Sequence, residues 1–344
     1  LGANETHCYI VAKIDMGEVI AESNEACGTT DASVTQTVSL DPFRMNMMSL
    51  NIDPFDTTVE SVFSDLNLLL VKNDDSDYYV PDYNVDQVGS LNSEEGYKLF
   101  LNGGVVQTLT ADGLPVDAST SLGLDPFRMN LLPYLVEDCL STDVVFGGYE
   151  ESLLIVKSDN SEYYVPSFNV MTLQEMCPGE GYGVFLNGTE GIEFVYPTGG
   201  GFASMHVTKD YYTEDKNSVT DLDVNPTGES HLLIIEGFAN SDALNVDDQL
   251  QLRAYDNNDK VVGAIDIDQN HLDYNGSLPM ADREGYAIAL VVHKAVIHPE
   301  TGETLLPGCD NSDVTLKLYN AAEDKEYIYE GNDIASCRSV SEFD

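Results

Sequence analysis

The sequence predicts a mainly β (α+β) chain in which two tandem, small mixed β-modules, each with one short helix, are followed by a β-sandwich-like domain. The first observation behind this prediction is a seven-residue string that occurs at Leu40–Asn46 and again at Leu124–Asn130, where it heads two copies of one longer pattern. The offset between the copies is 84 residues at this heading and 85 from Lys72 and Lys157 onward. The second observation is a change beyond Gly199 to short strands separated by Asn, Asp and Gly turns. A duplication of this kind indicates a modular chain. Modular chains more often build structures, present other domains or adhere to surfaces than catalyse reactions.

The patterns divide the chain into four parts. Residues 1–36 are expected to form an N-terminal strand segment, either the tail of a preceding module or an arm. Residues 37–112 are repeat module 1, and residues 113–198 are repeat module 2. Gly199–Gly201 marks the last boundary, and residues 199–344 are the β-sandwich-like domain. Because the chain begins at Leu1 and shows no signal peptide, we expect it to be a processed or excised product.

Module 1 illustrates how the elements of each repeat are predicted. Val38–Ile52 is expected to be extended, and Thr57–Phe63 has the N-cap and acidic first turn of a short helix. The apolar runs Leu68–Lys72 and Tyr78–Pro81 flank an acidic turn, which predicts a β-hairpin. Module 2 repeats this pattern with the turn Ser158–Glu162.

Gly96 and its equivalent Gly181 are expected to serve a tight turn or bulge before the closing strand of each module. Beyond the linker, apolar runs between turn residues predict five strands, which is typical of a sandwich. These strands are His231–Glu236, Gln249–Tyr255, Val261–Asp268, Tyr286–His293 and Val314–Tyr319.

The composition is strongly acidic, with 60 Asp and Glu against 15 Lys and Arg and a formal net charge of -45. Binding to nucleic acid is excluded, because phosphate recognition requires a basic face. Docking on an anionic membrane is disfavoured for the same reason, and no apolar run is long enough for membrane insertion. Such a chain is best suited to surroundings where salt or divalent cations screen it.

The cysteines predict disulfide bonds. Cys139 and Cys177 both lie in module 2, whereas module 1 has Pro54 or Phe55 and Asn92 at the matching positions. Two cysteines that are present together in one copy and absent together from the other indicate a bonded pair, and six free buried thiols are the alternative. The remaining nearest-neighbour pairs are Cys8 with Cys27 and Cys309 with Cys337. Three disulfides would indicate an oxidising compartment.

Calcium is the one cofactor that the sequence suggests. Two segments alternate oxygen-bearing side chains, the ligands that hard cations prefer. They are Asp221, Asp223 and Asn225, and Asp266, Asp268 and Asn270. Neither continues as an EF-hand loop, and alternate acids are also what a solvent-facing strand carries.

No catalytic residue is predicted. None of the six histidines lies in a Gly-x-Ser-x-Gly or His-Glu-x-x-His context, and carboxylates are too abundant for any pair of them to indicate a glycosidase. The sequence therefore favours a protein that is not an enzyme. An enzyme would need a pocket with convergent polar groups in residues 202–344.

Paired tyrosines at Tyr78-Tyr79, Tyr163-Tyr164 and Tyr211-Tyr212 present one ring to the core and one outward, because side chains alternate along a strand. The outward rings are expected to pack at the rim of the core, with stacking on sugars or on a partner as the alternative.

A resemblance adds to this interpretation. Module 2 carries Leu153–Lys157, Tyr164–Pro166 and Pro178–Tyr182, and this pattern resembles a repeat of large secreted surface proteins of marine Bacteroidota and related bacteria and of marine phage fibre-type proteins. Asp247–Ala264 is similar to a β-module that accompanies these repeats. The chain departs from the family at its opening Trp, which is replaced by Met45 and Met129. The resemblance implies an extracellular or particle-surface role and supplies no catalytic residues.

The expected function is that of a non-catalytic structural protein, located outside the cell, on the cell surface or on a virion. It would assemble into a filament, lattice or surface layer, or adhere, through self-association or through neighbouring modules of the same assembly. The alternative is a carbohydrate- or host-recognition module, for example of a phage fibre, with glycans as partners.

Overall fold

The chain is mainly β, as predicted. The computed structural model describes residues 33–197, 230–238, 243–275, 284–297 and 313–328, with single residues and short pieces between 224 and 309. It also describes the backbone of four strands before residue 30. These strands are β1 (Thr6–Tyr9), β2 (Ala12–Asp15), β3 (Glu18–Glu22) and β4 (Ala26–Thr29). Strand β1 pairs with β4 and β2 with β3, in two antiparallel two-stranded sheets that we refer to together as the N-terminal ribbon.

Module 1 contains short antiparallel strands and one helix of a single turn. Its elements are β5 (Val34–Leu40), β6 (Met45–Met48), β7 (Ile52–Pro54), α1 (Val59–Val62), β8 (Leu68–Lys72), β9 (Tyr78–Val80), β10 (Val85–Asp86), β11 (Tyr97–Leu101) and β12 (Gln107–Pro115). The segment predicted to be extended throughout, Val38–Ile52, is instead interrupted by a loop between β5 and β6. Strand β12 also continues past residue 112, where the repeat pattern places the end of the module.

Module 2 repeats this order. Its elements are β13 (Leu122–Leu124), β14 (Met129–Pro133), β15 (Leu140–Ser141), α2 (Thr142–Val145), β16 (Leu153–Lys157), β17 (Tyr163–Val165), β18 (Val170–Met171), β19 (Glu175–Met176), β20 (Gly181–Leu186) and β21 (Ile192–Phe194). The predicted helix and hairpin are thus present in both copies.

The two modules share one sheet topology. The five-stranded sheet has the order β6-β11-β8-β9-β10 in module 1 and β14-β20-β16-β17-β18 in module 2. In both sheets the strand that follows the repeated heading, β6 or β14, forms one edge. Each sheet covers its own core, built around Val71 and Leu99 in module 1 and around Val156, Val184 and Phe194 in module 2.

The last domain is a sandwich-like arrangement of antiparallel sheets. Its elements are β22 (Ser230–Ile235), β23 (Leu250–Tyr255), β24 (Val261–Ile267), α3 (Gln269–Asp273), β25 (Ile288–His293), β26 (Val296–Ile297), β27 (Thr304–Leu306), β28 (Thr315–Asn320) and β29 (Lys325–Ile328). Strands β22 and β25 form one sheet and β24-β23-β28-β29 another, and residues of both contribute to one core. All five predicted strands are present within two residues of their predicted ends, and α3, β26, β27 and β29 were not predicted.

The last domain packs against the outer face of module 2. Tyr163, Val165 and Val170 are fully buried and belong to the core of the last domain, whereas the adjacent Tyr164 belongs to the core of module 2. The Tyr163 hydroxyl lies 2.6 Å from the Ser230 hydroxyl. The outward ring of this tyrosine pair is therefore covered by a neighbouring domain.

Three further polar contacts accompany this packing. The Asn169 amide donates to the backbone oxygen of Gly285 at 3.4 Å, the Ala287 N–H donates to the oxygen of Phe168 at 3.4 Å, and the Ser161 hydroxyl lies 3.5 Å from His293 Nδ1.

Candidate functional site at the interface of the repeat modules

The repeated heading forms the same loop in both modules. In module 1 the Asn46 side chain accepts from the Asp41 N–H at 2.8 Å and donates to the Asp41 oxygen at 2.9 Å. In module 2 the Asn130 side chain makes the same two bonds to Asp125 at the same distances. Both amides are buried, so each satisfies the backbone of a turn that would otherwise lose hydrogen bonds to water.

The arginine of each heading is aimed by this loop. Phe43 and Phe127 adopt left-handed backbone conformations, with φ of 58° and 62°, at a cost of about 1–2 kcal/mol each for a residue with a Cβ. The same strained position in both copies indicates that the turn is held by the contacts around it. The following side chains, Arg44 and Arg128, keep an ion pair with the aspartate of their own heading, at 3.3 and 3.6 Å, and extend to the other module.

Arg44 of module 1 reaches the hairpin turn of module 2. Its guanidinium pairs with the Asp159 carboxylate at 3.0 Å and donates to the Asn160 side chain at 3.0 Å. The other oxygen of Asp159 accepts from the Met47 N–H at 2.9 Å. The Arg44 and Asp159 side chains are only 11% and 17% exposed, so this pair is largely shielded from water.

Arg128 of module 2 makes the reciprocal contact. It pairs with Asp74 at 3.4 Å and with Asp75 at 3.0 Å in the hairpin turn of module 1, and also donates to the backbone oxygen of Asp74. An oxygen of Asp74 accepts from the Leu131 N–H at 3.5 Å. Since Arg128 corresponds to Arg44, Asp74 to Asp159 and Leu131 to Met47, the two modules face each other with approximate two-fold symmetry. We refer to these contacts, and to the backbone contacts described next, as the module interface.

The backbones of the two modules also approach closely. The Gly96 N–H donates to the Leu131 oxygen at 2.9 Å, and on the other side Met48 is bridged to Glu180. A Cβ at Gly96 would lie 2.8 Å from the Leu131 oxygen, and a Cβ at Gly181 2.8 Å from the Met48 oxygen. Neither glycine has a positive φ. A turn closes directly before each glycine, because the Glu95 N–H donates to the Asn92 oxygen and the Glu180 N–H to the Cys177 oxygen. The missing side chain of each glycine leaves room for the backbone of the other module.

Ser49 lies at the centre of the module interface and is fully buried. Its N–H donates to the Gly179 oxygen at 3.1 Å, and its hydroxyl donates to the Glu180 oxygen at 2.6 Å and accepts from the Tyr134 N–H at 2.9 Å. The equivalent position in module 2 is Pro133, which has no N–H. The symmetry of the interface is therefore broken at this residue.

Carboxylates crowd both halves of the interface. Burial raises the pKa of Asp159 and of Asp74, and in each case the arginine of the other module opposes the rise. Burial likewise raises the pKa of Glu95 and of Glu180, each of which accepts a hydrogen bond from the tyrosine two residues later. The arginines hold Asp159 and Asp74 across the interface, whereas the tyrosines hold Glu95 and Glu180 within their own modules.

The disulfide predicted for module 2 is present and borders this interface. Cys139 and Cys177 are bonded, and Cys177 opens the turn whose Gly179 and Glu180 contact Ser49. Elsewhere, the pairing register places Cys8 opposite Cys27 in the N-terminal ribbon, as their predicted bond would require. Cys309 is disulfide-bonded, and Cys337, its predicted partner, lies outside the described residues.

The structure describes only the second of the two sets of residues predicted to bind calcium. Asp221, Asp223 and Asn225 lie outside the described residues. In the second set, Asp266 accepts from the Gln251 amide at 2.8 Å, and Asp268 caps α3 by accepting from the His271 N–H at 3.0 Å. Within the described part of the chain, no three His, Cys, Asp or Glu side chains cluster as a metal site.

A shallow groove of about 320 Å³ lies in module 1 between the α1 region and β12. The Phe55 ring, 66% exposed, stands at its border. The other lining residues combine carboxylates and hydroxyls, including Asp56, Ser61, Ser64, Asp65, Thr108 and Thr110.

None of the helices in the described part of the chain has the length and hydrophobicity needed to span a bilayer. Comparisons of the chain with protein-family models, with curated proteins and with solved structures found no significant match. The sequence reasoning did not assign Arg44, Arg128, Asp74 and Asp159 to an interface between the modules. The signal that could have found them is the retention of both Arg and Asp in the two copies.

Proposed function

We propose that the chain is a non-catalytic structural or adhesive protein of an extracellular or particle surface, which presents or assembles rigidly paired β-modules. The observation that carries this proposal is the reciprocal module interface. The residues that recur most clearly in the two copies are used to join the copies, through Arg44 and Arg128 and the loops that aim them. Groups repeated for catalysis would instead converge on a pocket.

Three further features support a location outside the cell. The disulfide between Cys139 and Cys177 suits an oxidising compartment. The net charge of -45 suits surroundings in which salt screens the repulsion between copies. The resemblance of the repeats to secreted surface and fibre proteins points the same way, and we propose self-association or neighbouring modules of one assembly as the partners.

Electron microscopy of the purified chain in seawater-like salt, with and without calcium, tests this proposal. Ordered filaments, tubes or sheets are the expected result, and their loss on chelation would add a requirement for cations. Monodisperse monomers under every condition would contradict self-assembly.

A second candidate is a glycan-recognition module, and the groove beside Phe55 favours it. An exposed aromatic ring next to carboxylates and hydroxyls is the surface on which a sugar ring can stack and form hydrogen bonds. Glycan screening with the monomer, with a Phe55→Ala variant as control, tests this candidate. Binding that is absent, or equal in both proteins, would exclude the groove.

A further inference from the structure

The outer face of the module 1 sheet repeats the face by which module 2 holds the last domain. In module 2 that face is centred on the buried side chains Tyr163, Val165 and Val170. The equivalent residues of module 1, 85 positions earlier, are Tyr78, Val80 and Val85. Ring and branched side chains therefore recur at the same places on the same strands of both sheets.

The polar groups of the docking contact also recur. Ser161 and Asn169 contact the last domain, and their equivalents are Ser76 and Asn84. All four residues have a left-handed backbone, with φ of 64° and 57° in module 2 and 68° and 51° in module 1. Module 1 therefore presents the hydroxyl and amide groups in the same local geometry.

The two faces differ in how far they are covered. Val170 is fully buried, whereas its equivalent Val85 is 38% exposed. Tyr78 and Val80 are only partly buried, whereas Tyr163 and Val165 are fully buried. Module 1 thus carries a docking face that the described side chains leave incompletely covered.

Charge further distinguishes the two faces. Lys72 and Lys98 are cross-strand neighbours in the module 1 sheet, and the Lys72 ammonium lies 6.0 Å from the centre of the Tyr78 ring. In module 2 the position of Lys98 is taken by Gly183, which pairs with Lys157. The strands of this face in module 1 therefore carry one lysine more than those of module 2, whereas in the adjoining turn Asp82 takes the place of Ser167. An occupant that packs on the strands meets a pair of lysines, which suits carboxylates at that position.

We propose that this face is a docking surface for the N-terminal ribbon of the same chain, formed by β1 to β4. Each strand pair of the ribbon is a two-stranded antiparallel sheet. The β22-β25 sheet is also two-stranded, and it supplies Ser230 and His293 to the docking contact on module 2. The ribbon is acidic, with four carboxylates and one lysine between residues 6 and 29. An isolated two-stranded ribbon is at best marginally stable in water, so it requires a surface to pack against.

The short linker between the ribbon and module 1 favours the ribbon over a second copy of the chain as the occupant of this face. Only residues 30–33 separate β4 from β5, so the ribbon is held beside module 1 at an effective concentration in the millimolar range or above. Two copies that each carry a charge of -45 repel each other. Docking of the ribbon within one chain therefore costs less entropy, and meets less electrostatic repulsion, than docking of a second copy.

Hydrogen–deuterium exchange of the full chain, read by mass spectrometry, tests the proposal. Amides of residues 6–29 and 78–86 should be protected together, independently of protein concentration. The variant Lys98→Glu, and separately Val85→Asp at an exposed position, should speed exchange in residues 6–29 at least tenfold. Exchange in β11 reports that module 1 remains folded, and the variant Lys325→Glu, at a lysine 64% exposed on the last domain, is the control with the same change of charge.

Unprotected amides in residues 6–29 of the parent chain would overturn the proposal, as would exchange there that neither variant alters. Protection of residues 78–86 that grows with protein concentration would overturn it in favour of a second copy as the occupant.

Discussion

Arg44 and Arg128 occupy equivalent positions in two copies of one repeat, and each side chain pairs with an aspartate in the hairpin turn of the other copy. A contact of this kind is isologous, as in a two-fold dimer, although both halves belong to one chain. Duplication alone could have produced two modules that are joined only by a linker, whereas the exchanged arginines hold the two modules together in one arrangement. Buried ion pairs contribute little net stability, and in some proteins they specify a unique arrangement. Variants that remove one partner of an ion pair therefore test its role in the interface.

The variant Arg44→Ala is expected to lower the free energy of unfolding by about 3 kcal/mol, because the buried Asp159 carboxylate is left without its partner. Arg128→Ala is expected to cost less, because Arg128 is 32% exposed and its ion pairs are more screened. Urea denaturation followed by circular dichroism measures both. Adding Asp159→Asn to Arg44→Ala should recover part of the loss, and equal losses for the two arginine variants would contradict the difference in burial.

Alanine at Gly96 or Gly181 is expected to destabilise the chain by about 1–3 kcal/mol, because the new Cβ would overlap a carbonyl oxygen of the other module. The matched control is Gly123→Ala, at a strand position with open space around it. The same denaturation experiment compares the three variants. If Gly123→Ala cost as much as Gly181→Ala, loss of glycine rather than the module interface would explain the effect.

The disulfide of module 2 closes a loop between residues 38 positions apart. Loop-closure entropy predicts that the double variant Cys139→Ser/Cys177→Ser loses up to about 4 kcal/mol of stability. The single variant Cys139→Ser should expose one reactive thiol, Cys177, when denatured, unreduced protein is titrated with a thiol reagent. Two thiols already free in the denatured parent would contradict the bond.

His293 should make the packing of the last domain depend on pH. Burial lowers its pKa to about 4, against an ordinary value of 6.5. The unfolded chain therefore binds the proton more readily, so stability is fully present above pH 6.5 and is lost as the pH falls towards 4, by up to about 3 kcal/mol.

Comparison of the parent with His293→Gln isolates this effect. Asp159 and the other carboxylates with a raised pKa act in the opposite direction, and their contribution cancels in the difference between the two proteins. Denaturation at pH 7, 5.5 and 4.5 should show that the difference in the free energy of unfolding between the two proteins changes with pH. A constant difference would mean that His293 does not titrate in this range.

Local patterns were enough to predict the central strands of the repeat modules and of the last domain. The hairpin of Leu68–Lys72 and Tyr78–Val80 follows from apolar runs around an acidic turn, and the five predicted strands of the last domain follow from the same kind of signal. The loop at Phe43 was missed, because its conformation is fixed by Asn46 and by contacts across the module interface. The reason for Gly96 was also missed, since a close approach between distant segments has no local signature.

The module interface also covers two sheet edges that could otherwise pair with strands of another molecule. Strands β6 and β14 are the sheet edges that follow the repeated headings, and an open edge is where a strand of another molecule can add. Here the Met47 N–H is taken by Asp159 and the Leu131 oxygen by Gly96. Each module therefore caps exposed backbone groups of the other. If the chain assembles as proposed, the paired modules would contact other copies through their side-chain faces, and these edges would not pair into a cross-β aggregate.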